Sequence, residues 1–445
     1  MTRSHRRRLV AAIAALSLPL AVSACTGDSG GGPEDNPDAE TTITFWHGWS
    51  ADSEVAAIQQ TIDAFEKENP NVHVKAVGNI TDDKINQSLR AGGAKAPDAV
   101  SSFTTDNVGE FCTAHAFVDL TPFLKKSEID VASTFPKPLQ DYTQFDGVRC
   151  TLPLLSDAYG LYYNKDAFKQ AGITRPPRTL SEFESDAVKL TKPAGDSFSQ
   201  LGFMPNFHGY ESTTTHLVAQ WNPTYFDADG KSTVDSDPAF PAMFTWQKHL
   251  VDTLGGYDKL EKYRSTFGDE FGSKNPFMTG QVAMAIDGEW RAGMVDDAGV
   301  QFDYGVAPFP VPDDQADTYG KGYLSGTIIG IASTSKKQNA AWELVKYLTT
   351  DTKAVVSFAN AIHNIPSTNK ALESSDLDRS QAVDAFIKIA QNPNSTTTPA
   401  SPNGGAYQLT LQDVGYAYES GKETDLQGSL DRAAKQIDTD IDRAR

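Results

Sequence analysis

Apolar positions along the first hundred residues change period repeatedly, and the changes outline a fold. Residues 41–45, TTITF, predict a short strand. Val55, Ile58, Ile62 and Phe65 then recur at helical spacing behind a capping Asp52 or Ser53, and Asn69-Pro70 stops the run. Alternation returns over 71–77, NVHVKAV. Strand, helix, strand in this order implies a parallel α/β sheet, so the loop 46–50, WHGWS, falls at the carboxyl end of a strand, where open α/β sheets bind ligands. A helix over 82–90, a break at Gly92-Gly93 and a strand from Pro97 repeat the unit and put Asp106 and Asn107 in a second loop at the same edge.

The densest pattern is 151–168, TLPLLSDAYGLYYNKDAF. Leu152, Leu154 and Leu155 flank Pro153, residues 160–163 restart a β-prone run, and Asn164-Lys165-Asp166 opens a helix, so the stretch predicts a strand passing between two domains. Asp157 and Tyr159 lie in its middle. An acid there is either a satisfied structural group or a ligand acceptor. Proline-punctuated 304–312 and the segment 363–366 are the second and third candidate crossings. Between them, 323–332, YLSGTIIGIA, reads as one strand with its helix over 337–348. Further helices are expected over 180–190 and 240–250, and a strand over 280–286. A polar loop over 393–405 precedes closing helices that begin at Tyr407. The DADGK segment at 227–231 is a turn, because a calcium-binding EF-hand loop needs an acid where Tyr225 stands.

At 445 residues the chain exceeds one comfortable core, and two large α/β domains fit best. MTRSHRRR, an apolar run over 9–22 and Ser23-Ala24 form a secretion signal that is too short to remain as a membrane span. The small residues before Cys25 resemble the lipobox of bacterial lipoproteins, in which that cysteine is acylated; an ordinary signal peptide cut nearby is the alternative. Residues 26–40 carry almost no apolar side chain and read as a flexible tether. No later hydrophobic run reaches transmembrane length, so attachment would rest on lipid alone. Loss of the leader's four arginines takes the net charge from −19 to −23, and no basic nucleic-acid footprint remains. With Cys25 acylated, Cys112 and Cys150 are an even pair in an oxidising compartment and are expected to form a disulfide. Two cysteines so far apart, without a nearby ligand pair, do not make a metal site.

Candidate chemistry lies in the aromatics. Trp46, Trp49, Trp221 and Trp290 adjoin short strands in polar company, whereas Trp246 and Trp342 sit at helical spacing among apolar residues and belong to the core. A pyranose has apolar C–H faces and a rim of hydroxyls, so a flat aromatic face edged by Asp, Glu and Asn matches it. Any one tryptophan can equally be core packing. Glycosidases also pair carboxylates beside aromatic platforms, and a secreted glycoside-active enzyme is the competing reading. No nucleophile elbow, HExxH or phosphate-binding loop is present, and His208, His216 and His363 have no partner at ligand spacing.

Taken in order, ITFWHGW, FEKENPNVHV, APDAV, LPLLSDAYGLYYNKDAFKQAGI, FMTGQVAMAIDGEW, KKQNAAWELVKYL and HNIPSTNKAL resemble the extracellular solute-binding proteins of family 1, the sugar-binding components of bacterial ABC importers. The resemblance implies a two-domain periplasmic binding protein-like fold of type II, with ligand held in the cleft between domains joined by crossing hinge segments. It also implies a carbohydrate ligand, di- or oligosaccharide, and partners in a membrane permease pair and its ATPase. It implies no catalysis and no cofactor. The expected product is a monomeric lipoprotein held outside the bacterial cell membrane by Cys25, with no nucleic-acid partner.

The expected division is 1–24 as signal peptide, 25–40 as lipid-anchored linker, 41–152 with 310–363 as domain I, and 153–309 with 364–445 as domain II. By position, Trp49, Ser50, Asp106, Asn107, Asp157 and Trp290 match the family's sugar-contacting places, and Glu211 and Tyr407 fall near others. Tyr159, Trp221 and Tyr323 are added from context. Trp49 and Ser50 stand where the family's maltose binders have a charged pair, and Asn107 replaces a basic residue, so the resemblance does not carry the identity of the sugar.

Overall fold

The computed structural model describes residues 40–50, 52–91, 96–205 and 211–445. The leader, Cys25 and nearly all of the tether lie outside the described residues. So does most of the aromatic stretch 206–211, of which Glu211 is described. Among the described residues twelve strands run in chain order: β1 Thr41–Trp46, β2 Val72–Val77, β3 Ala99–Ser102, β4 Leu152–Pro153, β5 Leu155–Asn164, β6 Lys192–Ala194, β7 Ser197–Gln200, β8 Met284–Gly288, β9 Tyr304–Ala307, β10 Leu324–Ser325, β11 Ile328–Ile331 and β12 Ile365–Pro366.

The first sheet has the order β2-β1-β3-β11-β4. Strands β1, β2 and β3 are parallel, which is the expected strand-helix-strand unit, while β11 lies antiparallel to both β3 and β4. The helix Asp52–Glu68 buries Ile58, Ile62 and Phe65 on one stripe and leaves Val55 outside it. In the second sheet every other strand pairs with β5: β10 and β12 near its start, β8 and β9 along its second half. Strand β5 ends where Asn164 turns to cap the helix Lys165–Gln170, its side chain accepting from the Ala167 N–H at 2.8 Å. The hairpin β6–β7 stands apart from both sheets.

The chain leaves the first sheet at Pro153 and enters the second at Leu155, so the predicted passage at 152–155 turns on a single residue. The return differs from expectation. Residues 304–312 do not cross: β9 pairs with β5, and Val311 bridges to Thr179. YLSGTIIGIA is two strands rather than one. Leu324 and Ser325 belong to the second sheet, residues 328–331 belong to the first, and Gly326-Thr327 makes the passage between them. After the helix Thr352–Ile362 the chain passes again, with His363 at φ 54° ending the helix and β12 joining β5.

Cys112 and Cys150 are bonded, their Cα atoms 5.5 Å apart, which ties the helix Val108–Thr113 to the residue before the crossing segment. Among the tryptophans assigned to packing, Trp342 is buried and its Nε1 donates to Ser127 Oγ at 2.9 Å, while Trp246 lies half-buried against Phe183, Trp221 and Phe309. The 227–231 segment is a turn: Asp227 Oδ1 accepts from the N–H groups of Asp229 and Lys231. Among the described residues no helix is long and apolar enough to cross a membrane.

A Cβ at Gly326 would lie 2.3 Å from the Leu155 carbonyl oxygen and 2.6 Å from the Tyr142 hydroxyl, so the return passage needs the bare backbone there. Gly326→Ala is expected to destabilise the protein by about 1–3 kcal/mol through overpacking, read as a lowered midpoint in urea denaturation. An unchanged midpoint would contradict this close approach.

Candidate functional site

A cavity of about 400 Å³ opens where β5 and β10 meet the loop after β3, the segment 211–216 and the start of the helix Ala406–Glu419. Its floor is aromatic. The Tyr159 ring lies 4.0 Å from the His216 imidazole, which lies 4.5 Å from the Tyr323 ring, while the two tyrosines are 5.4 Å apart. Strand alternation sends Tyr159 to this face, and the pairing of Tyr159 N–H with the Tyr323 carbonyl at 3.1 Å aligns the tyrosines.

Two acids edge the floor. Asp106, in the loop after β3, accepts from Thr398 Oγ1 at 3.1 Å. Thr398 has one hydroxyl hydrogen, so in its 2.9 Å contact with Tyr323 the tyrosine hydroxyl is the donor. Burial raises the Asp106 carboxyl to about 6, against the opposing pull of Gln408 and Thr398. Glu211 sits in the left-handed region at φ 60°, and its carbonyl lies 2.7 Å from His216 Nδ1. Burial lowers His216 to about 4, so the ring is neutral and Nδ1–H donates to that carbonyl. The Glu211 carboxyl is held well above the usual carboxylate range by burial, then by the nearby Asp287 and Glu270.

On the crossing strand itself, Asp157 Oδ1 accepts from Asn364 Nδ2 at 3.2 Å. Its neighbour Glu289 accepts from the Ala158 N–H at 3.0 Å through Oε2, and Oε1 has no hydrogen-bond partner among the described residues. Burial raises both carboxyls, Asp157 to about 6 and Glu289 well above the usual range, with the neighbouring Asp157 charge adding to the rise at Glu289. Asp157 therefore ties together the segments that pass between the sheets and does not line the cavity.

Of the residues singled out from sequence, Asp106, Tyr159, Glu211 and Tyr323 come together around the cavity. The others do not line it. Trp49 is 3% exposed, with the rings of Phe103 and Phe358 edge-on at 5.6 and 5.0 Å, so neither of its faces is free for a ligand. Ser50 beside it is exposed. Asn107 is buried at the start of the helix Val108–Thr113. Trp221 packs against Trp246 at 5.8 Å. Trp290 stands edge-on behind Tyr159 at 5.5 Å. Tyr407 is buried against Tyr225 and Phe226 and donates to the Pro399 carbonyl.

Sequence reading missed Phe103, Thr215, His216, Gln408 and Leu409, which line the cavity. Phe103 and Leu409 are large apolar side chains exposed by 49% and 66%. A signal existed in Gly404-Gly405 directly before the apolar period of the last helices. Both glycines take positive φ, and a Cβ at Gly405 would meet Asp106 at 2.6 Å, so they let the helix start against the Asp106 loop.

Two α/β lobes joined by several passages, with a ligand-sized cavity at the passages, define a hinged binding protein of the two-domain periplasmic type. The family model for bacterial extracellular solute-binding proteins matches residues 50–355, well over half of the chain, and the chain belongs to that family. A binding protein of Brucella abortus (strain 2308) is 28% identical over 206 residues, 46% of this chain and 47% of its own, so the chain spans about half the length of that relative. The maltotriose-binding protein of Pyrococcus abyssi is 21% identical over 75% of this chain and 68% of its own. Among solved structures, CpMnBP1 with mannotriose bound superposes with a TM-score of 0.75 at 23% identity, covering 88% of this chain and 99% of that one, which shows the shared fold.

Because burial raises the Asp106 carboxyl, its protonated form favours folding. That contribution is full below the unfolded value near 4 and is lost as pH rises through about 6. Asp106→Asn is therefore expected to match the wild type in thermal stability at about pH 4 and to exceed it at about pH 8. Unfolding followed by circular dichroism across that range checks the sign, and a variant less stable at high pH would reverse it.

Proposed function

We propose that this chain is the extracytoplasmic carbohydrate receptor of an ABC import system, closing by hinge motion around a di- or oligosaccharide and presenting it to a membrane permease. The observation that carries the reading is the cavity: an aromatic floor of Tyr159, His216 and Tyr323, edged by Asp106 and Glu211, at the place where the chain passes between lobes. A pyranose lays its C–H face on such a floor and donates its hydroxyls to the acids. The volume falls within the about 300–1,000 Å³ of small-molecule sites. The oligosaccharides named for the Pyrococcus protein and for CpMnBP1 support the same class.

The lobes are assigned as residues 41–153 with 327–363 and residues 155–325 with 365–445, which moves the return passage from the 310 expected from sequence to Gly326-Thr327. Ligand contacts on both lobes would favour the closed state, which is how binding becomes a signal to the permease. The protein acts as a monomer, tethered by lipid on Cys25. This part rests on the leader, the small residues before that cysteine and the polar run after it. It binds without cleaving. Two raised carboxyls at one cavity are also what a glycosidase uses, and product analysis separates the readings.

A thermal-shift screen across oligosaccharides is expected to yield at least one ligand, with Asp106→Asn weakening it about tenfold through the lost charge-assisted hydrogen bond. No cleavage product should appear on prolonged incubation. Accumulating products would favour the enzyme, and a panel without any shift would remove the carbohydrate reading. Cys25→Ala is expected to move the protein from the membrane fraction to the medium.

A further inference from the structure

The lining of the main cavity is one-sided in charge. Asp106 and Glu211 reach it, and no lysine or arginine does among the described residues. Arg291 is bound to Asp287 at 2.6 Å, Lys321 donates to Asn222 Oδ1 at 2.9 Å, and neither lines the space. His216 is present but neutral, with Nδ1–H donated to the Glu211 carbonyl, so it supplies no counter-charge. Asp287, Glu270 and Asp157, none of them in the lining, act electrostatically on Glu211 and add to the negative potential around it. Both acids can be met from the cavity: Asp106 is partly exposed, and the Glu211 side chain is 17% exposed.

The floor prefers the same sign of charge for a separate reason. Tyr159 and Tyr323 both line the cavity with ring centroids 5.4 Å apart, and an aromatic face attracts a cation within about 6 Å of its centre. Tyr323 lies in the field of both acids: burial raises its hydroxyl above the usual tyrosine range, and the charges of Asp106 and Glu211 contribute to the rise. Among the described residues no three His, Cys, Asp or Glu side chains are placed to hold a metal ion, so an organic cation is what the cavity fits. A hydroxyl donates one hydrogen bond and carries no charge. An ammonium donates three and brings the charge that the two carboxyls lack.

We propose that the ligand is an amino sugar, an oligosaccharide carrying at least one protonated primary amine, whose ammonium takes its counter-charge from Asp106 and Glu211 above the tyrosine floor. This rests on the carbohydrate reading of the main cavity and narrows it from neutral saccharides to cationic ones. The remaining hydroxyls of such a ligand meet the threonines of 213–215 and Ser325, which line the same space.

Isothermal titration with three β-linked trimers that differ only at C2 tests it: cellotriose with hydroxyls, triacetylchitotriose with acetamides, and the fully deacetylated chitosan trimer with ammonium groups. Maltotriose and the aminoglycoside kanamycin carry the comparison to α linkages. An amine-bearing ligand is expected to bind more tightly than the neutral sugars, by about tenfold, and Asp106→Asn and Glu211→Gln are each expected to weaken it by about that factor. Thermal unfolding of each variant reports that it is folded. Neutral sugars that bind as tightly as the amines or more tightly overturn the amino-sugar assignment and leave the carbohydrate reading standing. An amine preference that survives undiminished in both variants overturns the two acids as its source. Binding by none of the five ligands overturns the amino-sugar assignment and the carbohydrate reading together.

Discussion

Strand β5 has ten residues and must satisfy four neighbouring strands, two sheets' worth of traffic and one face of a cavity. Its pairing with β8, β9, β10 and β12 leaves almost none of its backbone free, and most of its side chains are buried. Every segment that returns to the second lobe does so by pairing with this strand. A shift of one residue along it would turn Tyr159 away from the cavity and Leu161 out of the core. The passage at Leu154 and the bare backbone at Gly326 are consequences, since strands that close on one central partner from two directions leave no room for a side chain at the point of return.

The electrostatics of the region follow from the same crowding. Asp157, Glu211, Asp287 and Glu289 are brought near one another, Asp106 is pressed by burial on its own, and among the described residues the nearby cation is Arg291, bound to Asp287 at 2.6 Å. The remaining carboxyls are eased by protons and by hydrogen bonds from Thr398, Asn364 and the Ala158 N–H. Such a cluster costs stability in the empty protein.

Much of the architecture was legible along the chain because hydrophobic period reports burial directly. The parallel β1-β2-β3 unit, the helices behind it and the passage at 152–155 all come from the spacing of apolar residues. YLSGTIIGIA defeated the same method, since a continuous apolar run looks alike whether its two ends lie in one sheet or in two. Residues 304–312 were misread as a crossing because proline makes a segment extended without saying where it goes.

The site divides along the same line. Asp106 and Tyr159 could be chosen from sequence because a loop at the end of a strand and an alternating position on a strand have defined faces. Trp49 could not be separated from Phe103: both follow strands at one edge, and packing of Phe358 decides which ring is covered and which is left open. His216 and Gln408 reach the cavity from distant elements, and no local pattern records that meeting. The sequence by itself determined the family, the strand-and-helix order and the acidic, aromatic chemistry of the cleft, because period and composition act locally. Tertiary structure alone decided which aromatic faces stay open, which carboxyls are buried beside one another and where the chain turns back, because those depend on contacts between residues far apart in the chain.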